Sequence, residues 1–376
     1  MGPYHFARMH ALQRRPGIQL TIAETCSVDD HEWVRGEEAE DLRIVPSNGG
    51  KGFAALWEVR PDVVVAPGYS DPAFLAAMSR YRHDFPNCLT IVWSESTAAD
   101  RKRNALKETL KSVGVSLFDG AFVAGQRHAQ YLEQLGMPAD RIAILGNCVD
   151  NDFFSSRVAE IRHRRTSPVQ PFFLFVGRFI PEKNLPVLLE SYAQYRQIAH
   201  APWPLVLVGG GPQEDVLRQQ VKRNAIDGVI FAGLRQPNEL AAYYADAGCF
   251  VLPSASEPWG LVINEAMASG LPVIASTQCG SAFDLIQPEI NGVVFAPADR
   301  NRLATLMSWV SAPGFPLQAF GEESQKAIAR YTPDSFAQKA DNHLRRLQTR
   351  GTGVSTRITH QLVQTAGTVW SRLSES

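Results

Sequence analysis

Two carboxylates, separated by seven residues, stand where a buried strand gives way to a helix. Glu257 lies in the loop after the apolar run Phe250–Leu252, and Glu265 lies about one turn inside the helix predicted to start near Gly260. The start of a helix directs free N–H groups and the positive end of its dipole at a ligand, which suits a diphosphate. Carboxylates accept hydrogen bonds strongly, which suits vicinal hydroxyl groups. The other interpretation is that both are solvated surface charges.

Two cations follow another buried strand. The run Phe173–Val176 ends at Gly177, and Arg178 and Lys183 stand five residues apart in the loop above the strand end. An arginine grips a phosphate with a bidentate fork, and a lysine adds a mobile point charge. The same pattern also fits a basic surface loop that leads into a helix.

A glycine loop, Gly209-Gly210-Gly211, follows a third buried strand. A ligand can approach the backbone closely where no Cβ intervenes. However, Glu214 occupies the position of the third glycine in the GxGxxG fingerprint, and the next strand lacks the acid that would hold an NAD ribose. The loop therefore argues against a dinucleotide dehydrogenase.

Short apolar runs alternate with longer helical patterns through almost the whole chain. Most of these runs are continuously hydrophobic, which is typical of parallel strands that helices cover on both faces. The alternation predicts an α/β fold. The predicted strands are Ile18–Ala23, Val63–Ala66, Leu89–Trp93, Gly120–Ala124, Ile142–Leu145, Phe172–Val176, Leu205–Val208, Val229–Ala232, Phe250–Leu252, Val273–Ala275 and Val293–Phe295.

The length of 376 residues predicts two domains, at about 100–200 residues per domain. The stretch Arg157–Pro171 is basic and then contains Ser and Pro, and we interpret it as the linker between them. We predict one domain over residues 1–160, a second over 161–345 and a tail over 346–376. The tail is either a loosely docked helix or partly disordered.

The composition is that of an ordinary globular protein, with 45% hydrophobic and 20% charged residues. A net charge of −1 argues against nucleic-acid binding. Five scattered cysteines without a CxxC pair argue against a metal site or a disulfide framework and favour a reducing cytoplasm. No apolar run approaches the ~18–20 residues that span a bilayer, and the N-terminus lacks the apolar core of a signal peptide. We expect a cytoplasmic protein, with peripheral contact with the inner face of the membrane left open.

Together these stretches resemble the retaining glycosyltransferases of family four, which have the GT-B architecture. The resemblance is good over roughly residues 120–345, and the ordered set of motifs is highly specific although each one is only moderately so. It implies two Rossmann-like, doubly wound parallel-sheet domains that face a central cleft. The matching motifs are Asn147–Asp150, the Arg178 and Lys183 pair, the GGGP loop from Gly209, the Glu257 and Glu265 pair, and Gly270–Ser276.

The resemblance implies a hexose transfer from a UDP- or GDP-linked donor to a hydroxyl of a glycan, a lipid-linked or a small-molecule acceptor. Arg178 and Lys183 would neutralise the leaving diphosphate, so that no metal or other cofactor is needed. Glu257 would bind the transferred sugar and Glu265 the ribose. The implied donor-binding residues are Gly177, Arg178, Lys183, Gly209, Gly210, Glu257, Gly260, Leu261 and Glu265, of which Arg178, Lys183 and Glu257 would be catalytic.

The N-terminal half matches this family less well. Many relatives have a histidine after the strand that corresponds to Leu89–Trp93, whereas this chain has a polar and charged stretch there. Because that stretch follows a strand end, Glu95, Asp100 and Arg103 are candidate acceptor contacts. His5, in a predicted turn over residues 2–5, is a fourth candidate. A charged surface loop and a structural histidine are the alternatives.

The family places a first strand at the centre of its N-terminal sheet, before the turn that Gly2-Pro3-Tyr4-His5 resembles. No sequence before Gly2 supplies that strand here. We therefore expect that the biological start lies about 10 residues upstream, enough for one ~5–6-residue strand and its lead-in. The alternative is that this chain is a defective copy of a family member.

Three other functions fit parts of the pattern. A glycogen-type phosphorylase would need a cofactor lysine and a far longer chain, and a sugar-nucleotide epimerase would need paired catalytic acids and histidines that the sequence does not display. A non-catalytic partner protein would keep the donor domain without a working acceptor side. The incomplete N-terminal half favours that alternative, and the intact set of Arg178, Lys183, Glu257 and Glu265 opposes it.

Overall fold

The computed structural model describes residues 3–23, 42–45, 54–69, 71–99 and 104–350. The chain forms two compact units: one comprises the residues up to Asn147 together with those from Pro333 onward, and the other spans Cys148–Thr332. Two of the candidate acceptor residues, Asp100 and Arg103, lie outside the described residues, as does the tail after Arg350.

The first unit contains a four-stranded parallel sheet in the order β3-β4-β5-β6 and a separate parallel pair, β1-β2. Its central strands are buried on both faces, as their continuous hydrophobic runs predicted. Helix starts follow from local sequence, because Asp71 and Asn104 each cap the first turn of the helix that follows. Its elements are α1 (Pro3–Gln13), β1 (Thr21–Ala23), β2 (Arg43–Val45), α2 (Ala54–Val59), β3 (Val63–Ala66), α3 (Pro72–Asp84), β4 (Leu89–Ser94), α4 (Ala105–Val115), β5 (Gly120–Val123), α5 (Gln126–Gln134), β6 (Ile142–Ile144) and, returning from the far end of the chain, α14 (Pro333–Arg350).

The second unit contains a six-stranded parallel sheet in the order β12-β11-β10-β7-β8-β9. The strands β7, β8, β10 and β11 are completely buried. Its elements are α6 (Asn151–His163), β7 (Phe173–Val176), α7 (Leu185–Ile198), β8 (Leu205–Val208), α8 (Glu214–Arg223), β9 (Val229–Gly233), α9 (Pro237–Asp246), β10 (Cys249–Leu252), α10 (Leu261–Ala268), β11 (Val273–Ser276), α11 (Ala282–Leu285), β12 (Gly292–Phe295), α12 (Arg300–Val310) and α13 (Leu317–Ile328).

The strand order of this sheet contains a reversal. The chain builds outward from β7 through β8 to β9, and α9 then carries it back to β10 on the other side of β7. In open α/β sheets, ligands bind outside the carboxyl ends of the strands at such a switch point. The loops that follow β7 and β10 are therefore the expected ligand-binding loops of this sheet.

The structure differs from the sequence-based boundaries in two places. Residues 157–163 of the predicted linker are the second half of α6, a helix that packs on α9 and α10 and so places the start of the second unit at Cys148. Residues 333–345, predicted in the second domain, begin α14, which packs against α1 in the first unit. The basic residues at the end of α6 complement its dipole, so the sequence there is typical of a helix end as well as of a linker.

A third difference concerns the start of the chain. Tyr4 and His5, predicted to form a turn, lie inside α1. A proline is tolerated in the first turn of a helix because its missing N–H has no intrahelical acceptor there, and Pro3 stands in that position. The turn residues of the sequence are therefore the beginning of a helix.

Candidate functional site

Loops from three neighbouring strands meet at the carboxyl edge of the second sheet. The strands β8, β7 and β10 are adjacent and parallel, so the loops that follow them emerge at the same edge. These loops carry Gly209 and Gly210, the stretch from Gly177 to Lys183, and Glu257. The sequence-predicted residues of the second unit are thus placed at its switch point.

Lys183 and Glu257 form an ion pair across this switch point. The ammonium of Lys183 contacts Oε2 of Glu257, with side-chain exposures of 17% and 11%. The hydroxyl of Ser254 donates to the same oxygen at 3.4 Å. The lysine ends a short 3₁₀ turn, Pro181–Lys183, which places its side chain directly beside the strand end. The switch point therefore carries an ammonium and a carboxylate in direct contact.

The loop that carries Lys183 is tied to the loop that carries Glu257. Asn184 adopts a left-handed conformation with φ of 55°, and its side-chain amide donates to the carbonyls of Pro253, at 3.2 Å, and Pro297, at 2.9 Å. The amide of Ala255 donates to the carbonyl of Glu182 at 2.8 Å. These bonds hold both charged side chains on a fixed backbone.

The backbone of Glu257 is also held by the segment after β11. Its carbonyl accepts from the amide of Gly280 at 2.9 Å, and Glu257 forms an isolated parallel bridge with Cys279. Burial and then the Glu257 carboxylate raise the pKa of the Cys279 thiol to about 12. Since the thiolate is the reactive form of cysteine, Cys279 is a packing residue at this position.

Gly209 lets the loops after β7 and β8 touch. A Cβ at Gly209 would collide with the carbonyl oxygen of Gly177, and φ of Gly209 is +136°. The amide of Phe179 donates to the carbonyl of Gly210 at 2.8 Å, which fixes one loop on the other. A Cβ at Gly210, by contrast, would meet only side-chain atoms of Glu214 and Leu234 at 3.6 and 3.7 Å.

The helix α10 starts beside Glu257. Its N-cap, Gly260, has φ of +91°, and a Cβ there would lie 3.1 Å from Cγ of Glu257. Leu261 is the first helical residue, so its amide belongs to the first turn, whose N–H groups have no intrahelical acceptor. This confirms the sequence-predicted helix start and gives an anion-binding geometry next to Glu257.

Glu265 lies one turn inside α10 and is buried, with 5% of its surface exposed. Its Oε2 accepts a hydrogen bond from the hydroxyl of Tyr244 at 2.7 Å. The interpretation of Glu257 and Glu265 as solvated surface charges is wrong, because Glu257 is also buried, with 8% exposed. Two carboxylates kept inside a protein need polar partners, and both have them.

Arg178 differs from the other charged candidates. Its side chain is exposed, and it makes no hydrogen bond or ion pair with any residue in the described ranges. It stands at the same strand end as Lys183 but projects into solvent. The structure thus brings Lys183 and Glu257 into contact, holds Glu265 in a neighbouring helix, and leaves Arg178 available to a ligand.

The first unit contains a separate polar cluster that joins two predicted acceptor residues. The guanidinium of Arg8, only 1% exposed, donates to Nδ1 of His5 at 3.0 Å and to Oδ1 of Asn147. The amide of Asn147 donates to Oε1 of Glu95 at 2.8 Å, and the indole of Trp93 reaches the same oxygen at 3.3 Å. His5 and Glu95 are therefore connected through Arg8 and Asn147.

His5 is a neutral imidazole in this cluster. Although the residue is exposed as a whole, packing desolvates the ring, and together with the Arg8 guanidinium this lowers its pKa to about 4, against a smaller opposing effect of Glu95. Arginine has no acceptor, so Nδ1 of His5 must accept and the proton of the neutral ring lies on Nε2. That N–H is a hydrogen-bond donor at the protein surface.

Several residues of these sites were not found from the sequence. Arg8 looks like a surface charge on a short helix, whereas in the structure it is buried and its guanidinium lies 5.2 and 5.6 Å from the ring centroids of Trp93 and Phe336. Tyr244 reads as one more aromatic residue of α9. Ser254 directly follows a buried strand and Pro253, and that position was its only signal.

Two α/β units with parallel sheets, the second with glycines, cations and buried carboxylates at its switch point, define the class of fold to which this chain belongs. Residues 159–327 match the family of glycosyl transferases group 1. The match agrees with the glycosyltransferase resemblance seen in the sequence and lies within the region, roughly residues 120–345, over which that resemblance is good.

Two relatives illustrate the similarity in sequence. The O-antigen chain mannosyltransferase B of Escherichia coli is 30% identical over 230 residues, which are 60% of this chain and 56% of the relative. The sulfoquinovosyl transferase SQD2 of Arabidopsis thaliana is 33% identical over 200 residues, which are 51% of this chain and 38% of that protein. The chain thus spans only about half or less of the length of these relatives.

Two solved structures show the same fold over nearly the whole chain. The lipopolysaccharide outer core galactosyltransferase WaaB superposes with a TM-score of 0.71 at 17% identity, covering 92% of this chain and 96% of WaaB. The Anabaena protein HepE, in complex with UDP and glucose, superposes with a TM-score of 0.70 at 18% identity and the same coverage. At this identity the likeness establishes the fold.

Proposed function

We propose that this chain is a retaining glycosyltransferase of family four that transfers a hexose from a UDP- or GDP-linked donor. The observation that carries the proposal is the ion pair of Lys183 and Glu257 at the switch point of the group 1 segment. A cation for a diphosphate and a carboxylate for sugar hydroxyls stand there side by side. Relatives named as mannosyltransferases and a structural neighbour in complex with UDP and glucose agree with this chemistry.

The donor would lie along the loops of the second sheet. We assign its diphosphate to Arg178, Lys183 and the amides at the start of α10, with the backbone at Gly177, Gly209 and Gly210 allowing close approach. We assign the ribose to Glu265 and the transferred sugar to Glu257. Two cations next to the diphosphate would take the place that a metal ion has in other transferases, so the proposal includes no metal.

The reaction exchanges one bond at the anomeric carbon for another. The bond between C1 and the diphosphate oxygen breaks, a bond from C1 to the acceptor oxygen forms on the same face, and the acceptor proton passes to the leaving diphosphate. Arg178 and Lys183 would lower the barrier by stabilising the negative charge that develops on that diphosphate. Retention means that the product keeps the anomeric configuration of the donor, which NMR of the product measures.

The donor would also change the partner of Lys183. In the structure the ammonium faces Glu257, and a diphosphate that arrives beside it competes with that carboxylate for the same charge. Glu257 is then released to accept hydrogen bonds from sugar hydroxyls. The ion pair thus holds Lys183 and Glu257 in position before the donor binds. In the complex, Lys183 would contact the diphosphate and Glu257 the transferred sugar.

We assign the acceptor hydroxyl to the polar cluster of the first unit. The Nε2–H of the neutral His5 ring donates and the carboxylate of Glu95 accepts, which fits a hydroxylated acceptor such as a glycan or a lipid-linked sugar. Asp100 and Arg103 remain predicted contacts.

Among the helices of the described ranges, none combines the length and hydrophobicity that a bilayer crossing requires. We propose a cytoplasmic enzyme that meets lipid-linked acceptors at the membrane surface.

A panel of nucleotide-sugar donors, scored by mass spectrometry for released nucleoside diphosphate and for product, tests the proposal. We expect one base and one hexose to be preferred, with slow hydrolysis when no acceptor is present. A protein whose melting temperature rises with UDP or GDP but which turns over no donor would instead be a non-catalytic partner protein. A protein that neither binds nor turns over any donor would contradict both functions.

A further inference from the structure

We infer that Tyr244 is a positioning residue for the Glu265 carboxylate, and that through it Tyr244 controls recognition of the ribose hydroxyls. The inference rests on the proposed function, which assigns the ribose to Glu265. It adds a residue that touches no substrate, because Tyr244 is completely buried and its hydroxyl reaches Oε2 of Glu265 at 2.7 Å.

The ring of Tyr244 has little freedom to move. It lies edge-on to Phe154 of α6, with centroids 5.7 Å apart and an interplanar angle of 88°, and it contacts Phe250 of β10 at 6.3 Å. Both of these phenylalanines are themselves buried. A hydroxyl on a ring packed between a helix and a strand provides a fixed donor, unlike that of a flexible surface side chain.

The location of Tyr244 connects this contact to the topology of the sheet. Its helix, α9, is the crossover that returns the chain from β9 to β10, and Glu265 lies in the helix that follows β10. The hydrogen bond therefore joins the crossover to the ligand-binding helix at the switch point. α6 packs on both α9 and α10, so it supports the two helices that carry the pair.

The chemistry explains why a buried carboxylate needs such a partner. A glutamate has three rotatable side-chain bonds, and a carboxylate that must meet two vicinal hydroxyls works only if its plane is set beforehand. A charge-assisted hydrogen bond from a phenol sets the direction of one carboxylate oxygen. Without it, one of the bonds that set the plane of the Glu265 carboxylate is lost, and the carboxylate matches a ribose less well.

The test compares nucleotides that differ only in the ribose. Binding of the preferred nucleoside diphosphate and of its 2′,3′-dideoxy analogue is measured by calorimetry for the wild type and for Tyr244→Phe. We expect the wild type to bind the ribonucleotide at least tenfold more tightly than the analogue. Tyr244→Phe should lose roughly tenfold in affinity for the ribonucleotide and almost none for the analogue, since the lost contact acts only through the ribose.

A matched control uses another buried tyrosine of the same unit. Tyr192 of α7 is also completely buried, and its hydroxyl lies within hydrogen-bond distance of the carbonyls of Trp203, at 3.0 Å, and Gly228, at 3.1 Å. Tyr192→Phe should lower the melting temperature and leave the ratio of the two nucleotide affinities unchanged. An equal loss of affinity for both nucleotides in Tyr244→Phe, as for a general structural defect, would overturn the inference.

A second comparison covers the case in which Tyr244→Phe does not fold because a buried carboxylate loses its donor. The double variant Glu265→Ala/Tyr244→Phe has no side-chain acceptor at position 265 and is compared with Glu265→Ala alone. We expect equal nucleotide affinities, because Tyr244 has no carboxylate left to position. A further loss of several-fold in the double variant would contradict the inference.

The outcomes separate the inference from the proposed function. A wild type that binds no nucleoside diphosphate overturns both. A wild type that binds the ribonucleotide and its dideoxy analogue equally well overturns the ribose assignment of Glu265 and the inference with it. Tight, ribose-dependent binding that Tyr244→Phe does not alter leaves the proposed function standing and overturns the inference alone.

Discussion

Lys183 and Glu257 form an ion pair that joins the loop after β7 to the loop after β10, at the place where the strand order of the second sheet reverses. The two residues are 74 positions apart in the chain. Ser254 and Asn184 add hydrogen bonds that hold the pair on both sides. This contact is the basis of the donor site proposed above, and the predictions below address its parts.

Lys183→Ala should reduce the turnover of the preferred donor by a factor on the order of 10²–10³, because it removes a charge that acts on the leaving diphosphate. Initial rates at saturating donor measure the effect, and the melting temperature shows whether the fold is intact. Lys222→Ala, at an exposed lysine of α8, is the matched control and should keep full activity. A folded Lys183→Ala enzyme with wild-type turnover would show that Lys183 has no catalytic role.

Glu257→Gln should separate binding from transfer. The amide keeps the shape of the side chain but releases Lys183 from its partner, so a nucleoside diphosphate should bind as tightly as before or a few-fold more tightly. Transfer should become at least tenfold slower, because the sugar loses a charged acceptor. Calorimetry and initial rates give the two numbers, with Glu322→Gln, an exposed site on α13, as control. Much weaker nucleotide binding in a folded Glu257→Gln protein would argue against the exchange of partners.

Arg178→Lys should impair turnover without changing stability. The side chain is exposed and has no partner among the described residues, so its replacement removes no contact of the fold. A lysine keeps the charge but loses the bidentate fork that matches a phosphate, and we expect about a tenfold loss in kcat/KM. Equal activity of Arg178→Lys and Arg178→Ala would instead show that the fork geometry has no importance.

Two neighbouring glycines should respond differently to alanine. At Gly209 a Cβ collides with the carbonyl of Gly177, so Gly209→Ala should destabilise the unit and lower its melting temperature. At Gly210 only side-chain atoms at 3.6 Å or more are near, so Gly210→Ala should fold normally but bind the nucleotide more weakly if the ligand approaches this backbone. Unchanged nucleotide affinity in Gly210→Ala would remove that residue from the donor site.

The His5 ring should make the first unit sensitive to acid. Its pKa is lowered from 6.5 to about 4 on folding, so between these values the unfolded chain binds more protons than the folded one. The free energy of unfolding therefore falls as the pH falls through this window. Between pH 7 and pH 4.5, the melting temperature of His5→Gln should therefore fall less than that of the wild type. An identical decrease in both proteins would contradict the assignment.

The sequence predicted the strands of both sheets well, because buried parallel strands are short, continuous hydrophobic runs. Val63–Ala66 and Leu205–Val208 agree with the structure at both ends, and most other strands agree within one residue. The short strand Arg43–Val45 was missed because a three-residue run with a charged end gives no hydrophobic signal. The extent of α6 was missed because a basic helix end and a linker share the same composition.

The sequence also placed Lys183, Glu257 and the start of α10 correctly at strand ends, since that position follows from the order of elements alone. It could not show which side chains meet, because the adjacency of β7 and β10 depends on the strand order. For the same reason Tyr244 and Arg8 were not found. Both act through contacts with residues that are distant in the chain, and neither lies in a recognisable motif.

The most direct test of the account is a crystal structure of the chain with UDP or GDP, whichever binds more tightly. The account predicts that the diphosphate lies beside Lys183 and the first amides of α10, and that the ribose hydroxyls contact Glu265. It also predicts that the ammonium of Lys183 has turned from Glu257 towards the phosphate. A nucleotide bound elsewhere, or one whose ribose does not reach Glu265, would contradict the central claim.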